Sequence, residues 1–363
     1  MRDLSRSITT YFFIFLFSLI SAEIVFRIYA ATPVFSMENF VKAAVDRHVN
    51  PVGPSVIHPT LGWMMRENYS SAKDSEAPLT TGVFGLRMNV PHEIVVPQSG
   101  AILAVGDSFT AGSEEGDDGS WPAALERKLQ KPVLNGGVGG YGVDQIVLRG
   151  RQLAEEFAPK AVIYSFLDED ILRNAFAIYG GYKPYYVIDG QGGLKLRGVP
   201  VSEVPPQFDR LGFLRGVLGH SRLIHEFMMI LSPRSWLGHE LQFRQVSTNE
   251  EAVQISCLLL DDIKADAERL NFEPFIMLQY GGDRALSGDI SWFGKAVSTC
   301  AIEKGLPTLD LFEALHAVSV EDLDRFRSLY NERPEGNAGG RFGHMSEVGN
   351  EYVADLIAGK FFR

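Results

Sequence analysis

The stretch Ala101-Ile-Leu-Ala-Val-Gly-Asp-Ser-Phe-Thr-Ala-Gly112 decides how the rest of the chain is interpreted. Its apolar run, residues 101–105, stops at Gly106-Asp107-Ser108, and helical spacing returns over residues 121–129. This pattern predicts a buried strand, a tight turn and a helix, with Ser108 on the turn. A hydroxyl at the carboxyl end of a parallel strand is well placed to act as a nucleophile. The simpler interpretation is a serine that caps the helix after it.

Four further apolar runs follow, and they alternate with segments of helical spacing. The runs are residues 132–135, 160–167, 274–280 and 307–312, and the helical segments are residues 144–157, 249–270, 291–303 and 348–361. Thr248 and Glu251 have the spacing of a capping box at the start of the second helical segment. Strands alternating with helices predict an α/β fold with a parallel sheet of about five strands, covered on both faces.

Residues 7–28 carry a long apolar pattern, preceded by Arg2 and Arg6. About 20 apolar residues are enough to cross a bilayer, and the two arginines should stay on the cytoplasmic side. Glu23 precedes Arg27 by one helical turn, so the two charges can neutralise each other. No site nearby offers small residues at both positions that a signal peptidase reads. We therefore expect an uncleaved transmembrane anchor, and a cleaved signal peptide is the alternative.

The remaining segments are less regular. Residues 31–98 read as an irregular lead-in, with short strands predicted at 82–87 and 93–96. The α/β domain then covers residues 99–363. An inserted subdomain, residues 174–248, separates the third and fourth strands, with a hairpin signal in 182–201 and two helical turns or a broken helix in 211–231. An interruption of this length is either a surface elaboration or a cap over a site.

Composition narrows the classes of partner. The formal net charge of −11 argues against nucleic acid, because binding phosphates needs a basic face. No Cys/His spacing of a zinc site is present. Cys257 and Cys300 both lie in helix-like stretches, and we expect two buried thiols rather than a disulfide, although an exported domain would allow the disulfide.

Hydrolysis at a serine needs a base for its proton and donors for the developing oxyanion. The donors could come from Asn135-Gly-Gly-Val-Gly-Gly-Tyr-Gly142, where glycines let backbone N–H groups point into a site. The base could be His344, on a loop just before the last helix. A lone histidine is more often structural, and the chain contains seven others.

Taken together, these residues resemble the SGNH (GDSL-type) hydrolase family from about residue 100 to the end. Gly106-Asp107-Ser108 matches the family's nucleophile motif, Gly140 matches the glycine that supplies an oxyanion N–H, and His344 matches the catalytic histidine. The resemblance implies a flavodoxin-like three-layer α/β/α sandwich. It also implies that Ser108 is the nucleophile, that His344 is the base, and that the N–H groups of Ser108 and Gly140 bind the oxyanion. Neither a cofactor nor a metal is implied.

The anchor and the insertion make the chain similar to bacterial, envelope-facing members of that family, which handle O-acetyl groups on polysaccharides. The resemblance therefore implies an ester hydrolase or acyl (acetyl) transferase that acts on an O-acylated carbohydrate or a similar small ester. We expect residues 7–28 to hold it in the bacterial inner membrane with its catalytic domain in the periplasm. The sequence gives no indication of the oligomeric state.

Two positions depart from the family pattern. Glu169 stands where the family has an oxyanion-binding Asn. Either Glu169 has a raised pKa there, or Asn174 or the N–H groups of Ser108 and Gly140 bind the oxyanion instead. Phe342 and Arg341 stand where the acid that orients the histidine is expected. Nearby carboxylates that could replace it are Glu332, Glu335 and Glu347, and a backbone carbonyl or a Ser–His dyad is also open. A non-catalytic homologue that binds glycan or assists polysaccharide assembly is the main alternative.

A remote alternative comes from another class of protein. Gly137, Gly139 and Gly142 fit the spacing of a dinucleotide-binding fingerprint after a strand and before a helix. The fingerprint belongs to the first strand–helix unit of such folds, whereas these glycines follow the second. No other part of the sequence supports this interpretation.

Overall fold

The computed structural model describes residues 2–49, 54–71, 75, 77–93, 99–201, 212–238, 243–334 and 340–362. The chain divides into two compact units, one formed by residues 1–50 and 203–244 and the other by residues 51–202 and 245–363. The helices are α1 (Arg2–Tyr29), α2 (Phe40–Val49), α3 (Ser108–Ala111), α4 (Trp121–Leu129), α5 (Val143–Phe157), α6 (Asp168–Arg173), α7 (Gly212–Leu218), α8 (Arg222–Leu231), α9 (Pro233–Leu237), α10 (Asn249–Leu270), α11 (Gly282–Ser287), α12 (Trp292–Glu303), α13 (Phe312–Glu321), α14 (Leu323–Ser328) and α15 (Glu347–Phe361). The strands are β1 (Ser55–His58), β2 (Gly62–Met65), β3 (Ile102–Val105), β4 (Val133–Asn135), β5 (Ala161–Leu167), β6 (Phe176–Tyr179), β7 (Tyr185–Ile188), β8 (Leu194–Arg197), β9 (Phe243–Gln245), β10 (Glu273–Gln279), β11 (Thr308–Asp310), β12 (Tyr330–Glu332) and β13 (Phe342–Met345).

A five-stranded parallel sheet forms the centre of the second unit. Its strand order is β11-β10-β5-β3-β4, and each neighbouring pair is parallel. Numbered along the chain, the five strands lie in the order 2-1-3-4-5, which is the flavodoxin-like arrangement. All five strands begin and end within two residues of the predicted apolar runs. The predicted fold class is confirmed, and the switch point of the sheet lies between β3 and β5.

Side chains of β3 alternate between two apolar layers, as side chains of a strand must. Leu103 and Val105 pack on one face against side chains of α5, α10 and α12. Ile102 and Ala104 pack on the other face against side chains of α4, α13 and α15. Helices therefore cover both faces, as the sequence predicted. The capping box formed by Thr248 with Glu251 at the start of α10 is also present.

The lead-in differs from its prediction. Residues 82–87 form no strand; Val83–Gly85 is a single 3-10 turn, with Phe84 and Gly85 in the left-handed region at φ 53° and 62°. A Cβ on Gly85 would lie 2.1 Å from the carbonyl oxygen of Met65, so this close approach requires glycine. The strands of the lead-in are instead β1 and β2, an antiparallel pair. The strand predicted at 93–96 falls mostly outside the described residues.

The segment between β5 and β10 contributes to both units. The predicted hairpin is present as β7 and β8, which belong to the second unit. Residues 211–231 contain two helices, α7 and α8, and these belong to the first unit together with α1. Within α1, residues Ile8–Tyr29 form a 22-residue stretch with a mean hydropathy of 1.9. By length and composition this stretch could cross a membrane, and a signal sequence has the same properties.

Cys257 of α10 and Cys300 of α12 form a disulfide bond. The expectation of two thiols was wrong, because the packing of α10 against α12 brings the two cysteines to a Cα–Cα distance of 5.7 Å. That distance is within the range that a disulfide spans. The spacing of the two residues along the chain gave no sign of this proximity.

Candidate active site

Strand β3 brings Ser108 to the carboxyl edge of the sheet. Its four residues are buried, and α3 begins at Ser108 itself. The carboxylate of Asp107 accepts a hydrogen bond from the N–H of Phe109 at 2.9 Å and so caps this short helix. Glycine is required before it, because a Cβ on Gly106 would lie 2.1 Å from the Oγ1 atom of Thr110. Ser108 therefore lies on a strand–helix turn, as predicted.

His344 reaches Ser108 from the C-terminal part of the chain. Its Nε2 atom lies 2.9 Å from the Oγ atom of Ser108, and its ring centroid lies 5.1 Å from that of Phe109. The sequence predicted a loop here, but His344 lies on the short strand β13, which pairs with β12. Ser346 then caps α15 by accepting the N–H of Gly349. Pairing with β12 fixes the direction in which the histidine points.

Glu114 lies on the other side of the imidazole ring. Its Oε1 atom is 2.8 Å from Nδ1 of His344, and its Oε2 atom accepts the backbone N–H of His344 at 3.2 Å. The backbone of Glu114 is in the left-handed region at φ 75°, which is uncommon for residues other than glycine and is often found at functional sites. Gly343 leaves room for the carboxylate, since a Cβ there would lie 2.4 Å from Oε2.

The ionisation of Glu114 sets the tautomer of His344. Burial opposes the charged carboxylate, but the hydrogen bonds and charge of His344, with the charge of Arg333, outweigh it and lower the pKa of Glu114. At neutral pH the carboxylate is therefore ionised and accepts a hydrogen bond from Nδ1–H. The Nε2 atom is left as an acceptor 2.9 Å from the Oγ atom of Ser108, and Oδ2 of Asp107, at 3.2 Å, is a second acceptor for the same hydroxyl.

Of the acids suggested by the sequence, the two that the structure describes, Glu332 and Glu347, do not occupy this position. Glu332 accepts hydrogen bonds from the guanidinium of Arg327, with Nε to Oε1 at 2.5 Å, and Glu347 is the first residue of α15. Glu335 lies outside the described residues. Glu114, six residues after the nucleophile, is the carboxylate bonded to Nδ1 of His344. An acidic residue close to the nucleophile motif was the available signal, whereas the predicted acids were all close to the histidine in sequence.

Buried Arg87 holds the loop that connects the nucleophile to Glu114. Its guanidinium donates to the carbonyl oxygens of Gly112 at 2.6 Å and Glu115 at 2.7 Å, and its Nε atom donates to the carboxylate of Asp117 at 3.2 Å. One rigid, charged fork thus fixes both sides of the left-handed residue. The role of Arg87 leaves no signal in the sequence, because its partners are mainly backbone carbonyl groups, which every residue carries.

The glycine turn after β4 lies next to the nucleophile. A Cβ on Gly139 would be 3.8 Å from the Cβ of Ser108, and Gly140 has a φ of 79°. The turn at 137–142 therefore faces Ser108, as an oxyanion-binding turn requires. This position argues against the dinucleotide interpretation, which needs the turn to face a phosphate-sized crevice.

Three side chains hold this turn. The indole Nε1–H of Trp63 donates to the carbonyl oxygen of Gly139 at 2.9 Å, and the hydroxyl of Tyr141 donates to the carbonyl oxygen of Trp63. Arg173 donates to the carbonyl oxygen of Tyr141 at 2.8 Å and to the carboxylate of Asp170 at 2.6 Å. These hydrogen bonds engage the carbonyl groups of Gly139 and Tyr141, and they fix the backbone of the turn beside the nucleophile.

Glu169 and Asn174, the two side chains considered in place of the family's Asn, lie in different surroundings. Glu169 is exposed at the start of α6 and lines the same cavity as Ser108 and His344. Asn174 is fully buried; its amide oxygen accepts the N–H of Asp144 at 2.9 Å and its amide nitrogen donates to the hydroxyl of Ser256 at 2.8 Å. The prediction that Asn174 could donate to the oxyanion was therefore wrong, because the amide oxygen and the amide nitrogen of its side chain are both hydrogen-bonded elsewhere.

A cavity of about 400 Å³ opens beside Ser108 and His344. Its charged lining residues are of both signs: Arg173, Arg284, Arg333, Asp168, Glu169 and Asp283. Burial raises the pKa of Asp168, although Ser291 and Arg284 oppose this. Most of the residues that line this cavity are polar or charged. A small or polar substrate fits such a lining better than a long acyl chain does.

A serine, a histidine and a carboxylate hydrogen-bonded in that order are the parts of a serine hydrolase. Here they lie at the switch point of a flavodoxin-like sheet, where ligands of such folds bind.

Solved structures that are similar to this chain include acetyl xylan esterases and a lipolytic protein of the G-D-S-L family. The acetyl xylan esterase AlAXEase matches at 12% identity over 72% of this chain and 99% of its own, with a TM-score of 0.40. A lipolytic protein of the G-D-S-L family from Desulfitobacterium hafniense matches at 17% identity over 72% and 100%, with a TM-score of 0.34. A catalytic mutant of Axe2, an acetylxylan esterase from Geobacillus stearothermophilus, matches at 15% identity over 72% and 94%, with a TM-score of 0.38.

No protein-family model matches the sequence, and no curated protein does. The structural likenesses are distant, and the function proposed below rests on the residues of the site.

Proposed function

We propose that this protein is a serine-dependent ester hydrolase or acyl transferase of the SGNH type. It acts on a small O-acyl ester, such as an acetyl ester on a carbohydrate. The observation that carries the proposal is the continuous hydrogen-bonded series from Ser108 through His344 to Glu114. The missing acid was one of two reasons to consider a non-catalytic glycan-binding protein, the other being Glu169, and the contact between Glu114 and His344 argues against the first of them.

The reaction follows from this geometry. Ser108 Oγ attacks the acyl carbon as its proton passes to Nε2 of His344, and Glu114 stabilises the imidazolium that forms. The N–H groups of Ser108 and Gly140 bind the oxyanion. His344 then gives the proton to the leaving alkoxide, which departs as the alcohol and leaves an acyl ester on Ser108. Water, or an acceptor hydroxyl in the transferase case, attacks this ester by the same steps and restores the serine.

The polar cavity supports a short acyl group on a polar alcohol. Two features support a location outside the cytoplasm, with α1 crossing the inner membrane. The stretch Ile8–Tyr29 is long enough to span the hydrocarbon core. The bond between Cys257 and Cys300 suits an oxidising compartment, since disulfides are rare in the cytosol.

The test uses the full chain in detergent with p-nitrophenyl esters of increasing acyl length. We expect turnover of the acetyl ester, weaker turnover of the octanoyl ester, and no turnover by Ser108→Ala. A fluorophosphonate should label the wild type at Ser108, and intact mass spectrometry identifies the modified residue. Absence of both labelling and turnover in a folded chain would refute the proposal. Adding an O-deacetylated glycan and following its mass distinguishes transfer from hydrolysis.

A further inference from the structure

The last turns of α1 are hydrogen-bonded to other parts of the first unit of the chain. The carboxylate of Glu23 accepts hydrogen bonds from the hydroxyl of Ser221 at 2.7 Å and from the N–H groups of Arg222 at 2.8 Å and Leu223 at 2.9 Å. Glu23 thereby caps the N-terminus of α8, although the two lie far apart in the sequence. Removal of α1 would leave these donors without their acceptor.

Arg27 strengthens the same attachment. Its side chain is buried, with Nε 2.6 Å from Glu23 and one terminal nitrogen donating to the carbonyl oxygen of His220 at 2.7 Å. The other terminal nitrogen donates to three carbonyl oxygens of the segment that follows α1, those of Pro33, Val34 and Ser36. A signal peptide that is discarded has no need of such contacts, so they favour a retained helix.

Helix α8, which Glu23 caps, and the preceding helix α7 have an unusual pattern of exposure. In α7 and α8 every exposed residue is apolar or glycine, whereas the charged residues Arg215, Arg222 and Glu226 are only partly exposed. Helices that face water show the reverse. The six most exposed large apolar side chains, 54–83% exposed, define what we term the apolar hairpin face: Phe213, Leu214, Val217, Phe227, Ile230 and Leu231.

The level of α8 along α1 indicates that lipid covers the apolar hairpin face. The apolar stretch Ile8–Tyr29 is about 33 Å long at 1.5 Å per residue, close to the ~30 Å of a hydrocarbon core. Glu23 lies about 9 Å before its end, so the first turn of α8 is fixed at the level where α1 enters the headgroup region. Lipid is the neighbour already present at that level, and helices with this composition lie in the interface.

We infer that α1 is retained and that the apolar hairpin face of α7 and α8 lies in the lipid–water interface beside it. The first unit is then a two-part membrane module, one helix across the bilayer and a helical hairpin on its surface. This inference rests on the membrane attachment proposed above. It does not depend on the esterase activity, so either can fail without the other.

The first test measures depth in the full chain, reconstituted into vesicles of phosphatidylcholine and phosphatidylglycerol. Single cysteines at Phe213, Phe227 or Ile230 carry a nitroxide, and power saturation compares collisions with oxygen and with a water-soluble nickel complex. We expect oxygen to dominate at all three positions, as at a Phe15 control in the middle of α1. A control at Gln191, exposed in the β7–β8 turn, should show the reverse.

Three results would overturn the inference. Labels on the hairpin that collide with nickel as often as the label at Gln191 would mean that the face lies in water. Spin–spin broadening between labels on two chains would mean that a second copy covers it. A chain purified from membranes without residues 1–30, as measured by intact mass, would contradict the retained helix.

A second measurement avoids the introduced cysteines. Glu23→Ala should increase hydrogen exchange at least tenfold in the peptide 221–231, because the N–H groups of Arg222 and Leu223 lose their acceptor. Glu38→Ala, an exposed carboxylate between α1 and α2, is the matched control and should leave that peptide unchanged. Equal exchange in the two variants would show that Glu23 does not position α8.

Discussion

Replacement of Glu114 by Gln tests the least expected residue of the site. The amide keeps the shape of the carboxylate but removes its charge, and the wild-type oxygens lie 2.8 Å from Nδ1 and 3.2 Å from the N–H of His344. Stabilisation of the imidazolium that forms during the reaction is therefore lost. The amide can also donate to Nδ1, and that tautomer places a hydrogen on Nε2, where it cannot accept the proton of Ser108.

The magnitude follows from the separation and exposure of the charges. Two unit charges about 4 Å apart interact by ~4 kcal/mol at an effective dielectric of 20 and by ~1 kcal/mol in water. The side chain of Glu114 is 39% exposed, so solvent screens part of this interaction. We take about 2–3 kcal/mol, which corresponds to a loss of roughly 30- to 150-fold in kcat. A fully buried triad acid costs more, about 10⁴ in serine proteases.

The assay is the steady-state hydrolysis of an acetyl ester by the full chain, with kcat and KM determined separately. Glu332→Gln and Glu347→Gln are matched controls, since both carboxylates are near His344 in sequence but Glu114 is the one bonded to it. Both controls should stay within twofold of wild type. A Glu114→Gln enzyme within threefold of wild type, or an equal loss in Glu332→Gln, would refute the assignment of Glu114.

The lowered pKa of Glu114 adds a stability signature to the same variant. A carboxyl group whose pKa is lower in the folded state stabilises the fold above its unfolded pKa, near 4.5, and loses this contribution as the pH falls through the folded value. The difference in unfolding free energy between wild type and Glu114→Gln should therefore shrink as the pH falls below about 4.5, as measured by urea unfolding. A difference that still grows below pH 4.5 would contradict the sign.

Three further variants probe what surrounds the site. Arg87→Lys removes a buried guanidinium and should cost about 3–5 kcal/mol in urea unfolding together with most of the activity; equal stability would contradict its role as a clamp. Trp63→Phe loses the hydrogen bond to Gly139, worth ~1 kcal/mol net, so kcat should fall about fivefold with KM unchanged, and a change confined to KM would argue against the effect on the turn. Cys257→Ser with Cys300→Ser opens a loop of 43 residues and should lower the unfolding free energy by up to about 4 kcal/mol, and a reducing agent should leave the double variant unaffected.

The sheet was predictable because each of its strands is a short, continuous apolar run bounded by turn residues. Strands buried on both faces need no alternation, and the runs before residues 106, 136 and 168 all stop at polar or glycine residues. The lead-in was not predictable in the same way. Phe84 takes a left-handed conformation that its side chain does not favour, so tertiary contacts rather than local preference decide the turn there.

The site was predicted in part, and the division has a physical reason. Ser108 and His344 each lie in a local setting that the sequence displays, a strand–turn–helix and the residues before a terminal helix. The acid is different, because its contact with the histidine joins residues 230 positions apart. Glu114 belongs to Ser113-Glu-Glu-Gly-Asp-Asp118, which has the composition of a solvated loop. The disulfide was missed for a similar reason, since it depends on how two helices pack.

The position of Glu114 also explains why the residues before His344 lack an acid. Phe342 is buried against the rings of Phe326 and Tyr330, so its side chain belongs to the core rather than to the histidine. A triad requires only that a carboxylate meet Nδ1 in the correct orientation, and the chain order of its members varies among unrelated hydrolases. Here Arg87 fixes the loop that connects the nucleophile to the acid. His344, on β13, lies between the side chains of Ser108 and Glu114. The substitution of the usual acid is therefore compatible with an intact site, because the same electrostatic role at Nδ1 of His344 is supplied by a carboxylate that follows the nucleophile.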